Sequence, residues 1–94
     1  MALRSFADKP TENFWHGTRV SAFEGLERAA MRKLTTLNAA ISLDSLASVP
    51  GNRLELLKGD RRGQHSTSIN DRWRLCFKWQ DGDAYDVAIT KHYT

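Results

Sequence analysis

Eight consecutive residues, from Arg72 to Trp79, alternate without a break between two kinds of side chain. Every second residue is large and apolar, and most of the residues between them are basic. Successive side chains of a β-strand point to opposite faces, so the pattern predicts a strand with an aromatic core face and a basic outer face. The apolar positions are Trp73, Leu75, Phe77 and Trp79, and the others are Arg72, Arg74, Cys76 and Lys78.

Other segments predict strands that complete an antiparallel sheet. Leu54 and Leu56 begin it, residues 64–69 form the next strand, and residues 70–71 make a tight connection to the strand from Arg72. An Asp81-Gly82 pair predicts a hairpin, which would fold the last strand back so that residues 71–74 lie beside residues 90–93. We expect a short edge strand over residues 3–6, and inward-facing side chains at Tyr85, Val87 and Ile89.

Helix signals precede the sheet. Asp8 is a candidate N-cap for a short helix over residues 11–16, with Pro10 in its first turn and Gly17 ending it. Ser21 and Glu24 have the spacing of a capping box, and Glu24 is one turn before Arg28, which predicts an ion pair. Ser42 caps a further brief helix. The stripe of a long amphipathic helix is formed by Phe23, Leu26, Ala30, Leu34, Leu37 and Ile41. These elements predict an α+β fold, with N-terminal helices packed on one face of a mostly antiparallel sheet.

Length and composition are typical of one soluble domain. The chain has 94 residues, 40% hydrophobic and 27% charged, without a signal-peptide core or an apolar run of membrane-spanning length. We therefore expect a cytoplasmic protein with no membrane association. The lone Cys76 cannot form an internal disulfide, in agreement with a reducing compartment. No metal site or cofactor is expected, because the three histidines are far apart in sequence and no glycine-rich phosphate loop opens a helix.

Positive charge is concentrated in the middle of the chain. The net charge is +3 with a pI of about 9.4, and residues 58–78 hold six basic residues against two acidic ones. This distribution indicates either a polyanionic partner or a solvated basic face, and charge alone does not separate the two.

Several of these residues suit the cleavage of RNA. Arg72 and Arg74 are two residues apart on one strand, roughly 7 Å by strand rise, and His92 and Tyr93 end the partner strand. Cleavage needs a base for the 2′-OH, positive charge for the phosphorane and an acid for the leaving 5′ oxygen. The structural alternative is that Arg72 and Arg74 pair with carboxylates of Asp60, Asp71 or Asp86, and that the terminal residues only anchor the chain.

Residues 50–54 (PGNRL), 57–61 (LKGDR), 69–77 (INDRWRLCF) and 83–89 (DAYDVAI) resemble the HigB-type toxins of the RelE superfamily. The resemblance covers nearly the whole chain, so we expect residues 1–94 to form a single RelE/HigB-like toxin domain. It implies a ribosome-dependent endoribonuclease that cuts mRNA in the A site through 2′-OH attack. It also implies a helix-turn-helix, HigA-like antitoxin as partner, through which alone the toxin would reach operator DNA.

The resemblance also implies residue roles. Lys58, Arg72 and Arg74 would bind phosphate and stabilise charge, while His92 or Tyr93 would move protons. Relatives commonly have arginine where Ser68 stands, and some have histidine at Glu55, whose carboxylate cannot bind phosphate but could act as a base. These two departures favour an alternative function as a weak or inactive RNA- and antitoxin-binding module. A protein-interaction domain with no RNA role would leave the basic strand unexplained. Contacts to the RNA backbone are expected from Arg61, Arg62, His65, Lys78 and Lys91.

Overall fold

A computed structural model describes residues 2–58 and 63–91 of the chain. Within these residues, three α-helices precede a four-stranded antiparallel sheet of order β1-β2-β3-β4. The predicted α+β fold is confirmed. The helices are α1 (Lys9–Trp15), α2 (Glu27–Ala39) and α3 (Leu43–Ala47), and the strands are β1 (Glu55–Leu56), β2 (His65–Ser68), β3 (Trp73–Gln80) and β4 (Asp83–Lys91).

The β3–β4 hairpin forms where the sequence predicted it. Asp81 and Gly82 have φ of 52° and 83°, the left-handed pair that a tight two-residue hairpin turn requires. The β2–β3 connection is closed by Asn70, whose side-chain oxygen accepts hydrogen bonds from the backbone N–H groups of Arg72 and Trp73, both at 2.8 Å. Short turns thus hold β2, β3 and β4 in a fixed order.

A bulge in β4 changes which of its side chains face the core. The register shifts between Cys76, which pairs with Ala88, and Lys78, which pairs with Tyr85, and Asp86 adopts a φ of 52° at this point. The extra residue inverts the alternation, so Ala84 is buried instead of Tyr85. The inward prediction for Tyr85 was therefore wrong, whereas Val87 and Ile89 are buried as predicted.

The outer edge of β4 is covered by the N-terminal segment. Leu3 and Phe6 form isolated parallel bridges with Ala84 and Val87. Backbone hydrogen bonds run in both directions, including Arg4 N–H to the Ala84 carbonyl at 2.8 Å. The predicted edge strand is thus present as two bridges.

The first and last helices begin at the predicted caps. The side chain of Asp8 accepts a hydrogen bond from the Thr11 N–H at 2.8 Å, and Pro10 lies in the first turn of α1. The side chain of Ser42 accepts from the Ser45 N–H at 3.1 Å, and Ser45 bonds back to complete a capping box. Both helices therefore start where a side chain satisfies a free backbone N–H.

The start of α2 was predicted wrongly. Ser21 belongs to a separate three-residue 3₁₀ turn, Ser21–Phe23, and makes no side-chain cap. Gly25 has a φ of 88°, which no helix interior tolerates, so the helix begins only at Glu27. Glu24 pairs with Arg19 instead of the predicted Arg28, because it lies outside the helix.

The core lies between α2 and the sheet. Ala30, Leu34 and Leu37 of α2 are buried in one cluster with Leu75 and Phe77 of β3. The predicted stripe is buried except at Ile41, although its first two members, Phe23 and Leu26, lie before α2 begins. Ile41 is 84% exposed because α2 stops at Ala39 and Ala40 is extended.

Candidate active site

The sheet separates two sets of side chains on β3. Leu75 and Phe77 face the helices, so alternation places Arg74, Cys76 and Lys78 on the other face. Cross-strand partners share a face, and the register pairs Cys76 with Ser66 and Ser66 with Glu55. The candidate site is this second face, around Arg74.

Arg74 is buried, with only 7% of its surface exposed. Its Nε donates to the Ser66 hydroxyl at 2.8 Å, and its Nη2 donates to the carbonyls of Arg53 at 2.8 Å and Ser66 at 3.4 Å. The expected basic outer face is therefore corrected at this position. The guanidinium bonds to the Ser66 hydroxyl and to two backbone carbonyls instead of extending into solvent, and these three hydrogen bonds fix its plane.

A carboxylate lies beside this fixed guanidinium. Glu55 Oε1 is 3.9 Å from Arg74 Nη2, and about half of the Glu55 side chain is exposed. The expected partners Asp71 and Asp86 make no ion pair with Arg74, and Asp86 pairs with Lys78 at 3.3 Å. Asp60 lies outside the described residues. The sequence indicated Glu55 as a departure and a possible base, but not its approach to Arg74, which depends on the register of three strands.

The segment that supplies the Arg53 carbonyl is held by Asn52. Asn52 is 1% exposed, accepts from Lys33 Nζ at 2.6 Å and donates to the Leu46 carbonyl at 3.0 Å. Its own carbonyl accepts from the Ser68 N–H at 2.6 Å. These bonds join α2, α3 and β2 at one residue. Burial lowers the pKa of Lys33, and the neighbouring Arg32 charge lowers it further.

The end of β4 lies beside the start of β3. Trp73 pairs with Lys91, whose Nζ lies 5.7 Å from the centre of the Trp73 ring, and Arg74 pairs with Thr90. Arg72 precedes Trp73 in the turn and is exposed. The predicted neighbourhood of residues 71–74 and the end of the last strand is confirmed as far as Lys91. His92 and Tyr93 lie outside the described residues, as do Arg61 and Arg62.

The family model of a HigB-like toxin, the RelE-like toxin of a type II toxin–antitoxin system, matches residues 4–92. The chain belongs to this toxin family. It is 37% identical over 94 residues to Toxin HigB-1 of Vibrio cholerae serotype O1, with 98% of each chain covered. The resemblance read from the sequence is thereby confirmed.

Solved structures show the same fold for this HigB-like chain. The YoeB–YefM complex from Staphylococcus aureus matches with a TM-score of 0.63 and 20% identity, covering 97% of this chain and 98% of that one. A YoeB dimer from the same organism also gives 0.63, with 21% identity and full coverage of both chains.

Lys58, which the resemblance assigned to the catalytic site, lies apart from Arg74. Lys58 is exposed and follows Leu57 in the chain. The Leu57 N–H bonds to the Gln64 carbonyl at 2.8 Å, which places Leu57 one residue beyond the His65–Phe77 pair. Arg74 lies at the level of Ser68, four residues along from Gln64, so roughly 13 Å of strand separates Leu57 from the level of Arg74.

His65 is on the opposite face of the sheet from Arg74. It pairs with Phe77, and the two rings stack with centroids 6.2 Å apart. Its Nδ1 atom is buried without a hydrogen-bond partner among the described residues. The ring therefore contributes to the aromatic layer beside Phe77.

Neither a metal centre nor a membrane span is found in the part of the chain that the structure describes. No three His, Cys, Asp or Glu side chains in residues 2–58 and 63–91 are grouped as metal ligands. None of the described helices is both long enough and apolar enough to cross a bilayer.

Proposed function

We propose that this HigB-like toxin is a ribosome-dependent endoribonuclease that cuts mRNA in the A site and so inhibits translation and growth. The reaction is attack by a ribose 2′-OH on the adjacent phosphate. The 2′-O–P bond forms and the bond from phosphorus to the 5′ oxygen breaks, leaving a 2′,3′-cyclic phosphate and a 5′-OH. The observation that carries the proposal is the Glu55 carboxylate held 3.9 Å from the fixed guanidinium of Arg74.

Arg74 is suited to stabilising the phosphorane. Its Nε and Nη2 groups are held by Ser66 and Arg53, whereas Nη1 makes no hydrogen bond with the described part of the chain. A guanidinium fixed on one edge presents its other edge without reorganisation at the moment of reaction, which is how preorganised charge lowers a barrier.

Glu55 is suited to accepting the 2′-OH proton. A half-exposed carboxylate is open to substrate, and the adjacent guanidinium places it beside the phosphate that the hydroxyl attacks. Glu55 thereby becomes the candidate general base, a role that the sequence left open between its carboxylate and the terminal residues.

The remaining roles follow the family resemblance. His92 or Tyr93 would protonate the leaving 5′ oxygen, since they come next in the sequence after Lys91, which pairs with Trp73 at the start of β3. Arg72 and Lys58 would add positive charge on the path of the mRNA. Backbone contacts to mRNA or rRNA are proposed for Arg61, Arg62, Lys78 and Lys91, but no longer for His65, whose ring stacks on Phe77 on the other face. The two lysines already make contacts within the protein, Lys78 with Asp86 and Lys91 with Trp73.

The partnership with an antitoxin follows from membership of a toxin–antitoxin family. We propose that the antitoxin is a HigA-like helix-turn-helix protein and that contact with operator DNA is made through it alone. The place of action would be the cytoplasm, where translating ribosomes are found. No cofactor is required, because the arginine, the carboxylate and the terminal residues supply charge, base and acid.

One observation favours a second function, an inactive module that binds RNA or the ribosome together with the antitoxin. Arg74 donates its Nε and Nη2 hydrogen bonds to Ser66 and Arg53 of the protein itself, and Glu55 offsets part of its charge. A guanidinium used in this way stabilises the sheet even without substrate.

Primer extension on an mRNA translated in a purified system separates the two functions. The protein is added to translating ribosomes and, as a control, to the same naked RNA. Cuts within codons that occur on translating ribosomes and not on the naked RNA support the nuclease. Salt-sensitive binding to ribosomes without any cut would leave the binding module as the function.

A further inference from the structure

An open groove of about 710 Å³ runs along α2 on the helical side of the molecule. Phe14 and Met31 form its apolar part, and Thr35 and Thr36 lie at one end. A second groove of about 390 Å³ shares these two threonines and continues past Ala39 towards α3. The two grooves are together called the α2 groove, and their lining follows the chain from Glu27 to Ala40.

The rim of the α2 groove carries two arginines without carboxylate partners. Arg28 and Arg32 are one helical turn apart, and neither forms an ion pair within residues 2–58 and 63–91. Like charges at this spacing destabilise a helix. Glu27 also lines the groove, with its carboxylate accepting the Gly25 N–H at 2.8 Å, and it offsets part of this positive charge.

Three other cations of the N-terminal half are paired with carboxylates in the same structure. Arg4, Lys9 and Arg19 each contact a carboxylate. The charge of Arg32 also acts on the adjacent Lys33. Burial lowers the pKa of Lys33, and the Arg32 charge lowers it further. Among the described residues, the rim therefore carries two arginines against one carboxylate, a net positive stripe beside an apolar surface.

We propose that the α2 groove binds an acidic amphipathic segment of the antitoxin. Carboxylates of the segment would pair with Arg28 and Arg32, and its apolar side chains would contact Met31 and the apolar lining. RNA fits this surface less well, since its phosphates leave the apolar part unfilled and Phe14, the aromatic ring of the groove, is buried and offers no face for base stacking. The proposal rests on the antitoxin partnership and not on the nuclease.

The α2 groove and the Arg74–Glu55 pair lie on opposite sides of the sheet. The inner face of α2 packs on the side of Leu75 and Phe77, whereas Arg74 projects from the other side. A segment in the groove therefore leaves the Arg74 face uncovered, and antitoxin binding should be separable from cleavage by mutation.

Binding of the antitoxin encoded beside the toxin gene tests the proposal. Calorimetry with the full-length chain and its Arg28→Glu/Arg32→Glu variant should show affinity reduced at least tenfold, since reversal replaces two attractions with two repulsions (about 1.4 kcal/mol per tenfold). The matched control is Lys9→Glu/Arg19→Glu, which makes the same charge change outside the groove and should bind as the unmodified chain does. Met31→Asp should weaken binding and Met31→Leu should not, which tests the apolar contact.

Three outcomes would overturn the proposal. The first is equal affinity of both double variants. The second is loss of ribosome binding with antitoxin binding intact, which would make the groove an RNA surface. The third is a change from dimer to monomer on charge reversal, which would make it a contact between two copies of this chain. Thermal unfolding of every variant confirms folding, and primer extension is scored separately, so failure of the nuclease leaves this result readable.

Discussion

The guanidinium of Arg74 donates a 2.8 Å hydrogen bond to the backbone carbonyl of Arg53, a residue held in the left-handed region at a φ of 48°. A left-handed backbone costs a residue with a Cβ atom about 1–2 kcal/mol, so other contacts must hold it. Asn52, fixed by bonds to Lys33 and Leu46, precedes Arg53 and supplies them. The position of the proposed catalytic cation thus depends on a buried amide that does not touch it.

Asn52→Ala should therefore impair both stability and cleavage. The substitution leaves the Leu46 carbonyl and the Lys33 ammonium without their partner, and we expect a loss of about 1–3 kcal/mol in urea unfolding. Cleavage on ribosomes should fall further than the folded fraction does, since Arg53 and with it Arg74 become free to move. Asn38→Ala is the control, because Asn38 accepts one bond from the Leu3 N–H at the opposite edge of the sheet. Equal specific activity of the two variants would contradict a positioning role.

Glu55→Gln should lower the cleavage rate by about 10²–10⁴-fold, the contribution of a general base. The amide keeps the shape of the side chain and loses the proton acceptor. Quenched-flow cleavage on stalled ribosomes measures the rate, and filter binding measures ribosome affinity, which should stay the same or rise. Asp83→Asn is the matched control, because Asp83 pairs with Arg4 at 3.1 Å away from the site. Faster cleavage by Glu55→Gln would instead identify Glu55 as a brake on Arg74.

Arg74→Ala should abolish growth inhibition while antitoxin binding is retained. Arg74→Lys separates charge from geometry, because an ammonium keeps the charge but cannot bond Ser66 and Arg53 in one plane. We expect the lysine variant to fold and to cleave far more slowly than the unmodified chain. Growth assays under induced expression, with co-purification of the antitoxin, give both readouts. Full toxicity of Arg74→Ala would exclude this residue from catalysis.

Local patterns predicted the elements that local residues determine. The alternation through β3 and the Asp81-Gly82 turn define two strands and their connection, because each signal is read within a few residues. The burial of Arg74 was missed because it depends on Ser66 and Arg53, which come next to it only after three strands align. No local pattern predicted the bulge at Asp86, which turns Tyr85 away from the core.

The stability of the fold should rise with pH on the alkaline side through Lys33. Burial and the Arg32 charge lower its pKa in the folded state below the ordinary 10.5, so between the two values the unfolded chain binds more protons. Stability then increases with pH across that window and levels off above it.

Urea unfolding from neutral to alkaline pH measures this effect. The free energy of unfolding of the unmodified chain should increase relative to that of Lys33→Met as pH rises. Other titrating groups cancel in this difference, and the paired, exposed Lys9 is the control, since Lys9→Met should show no such gain. A difference between unmodified chain and Lys33→Met that stays constant, or shrinks, with rising pH would show that the Asn52 hydrogen bond favours the ammonium strongly enough to cancel the effect of burial.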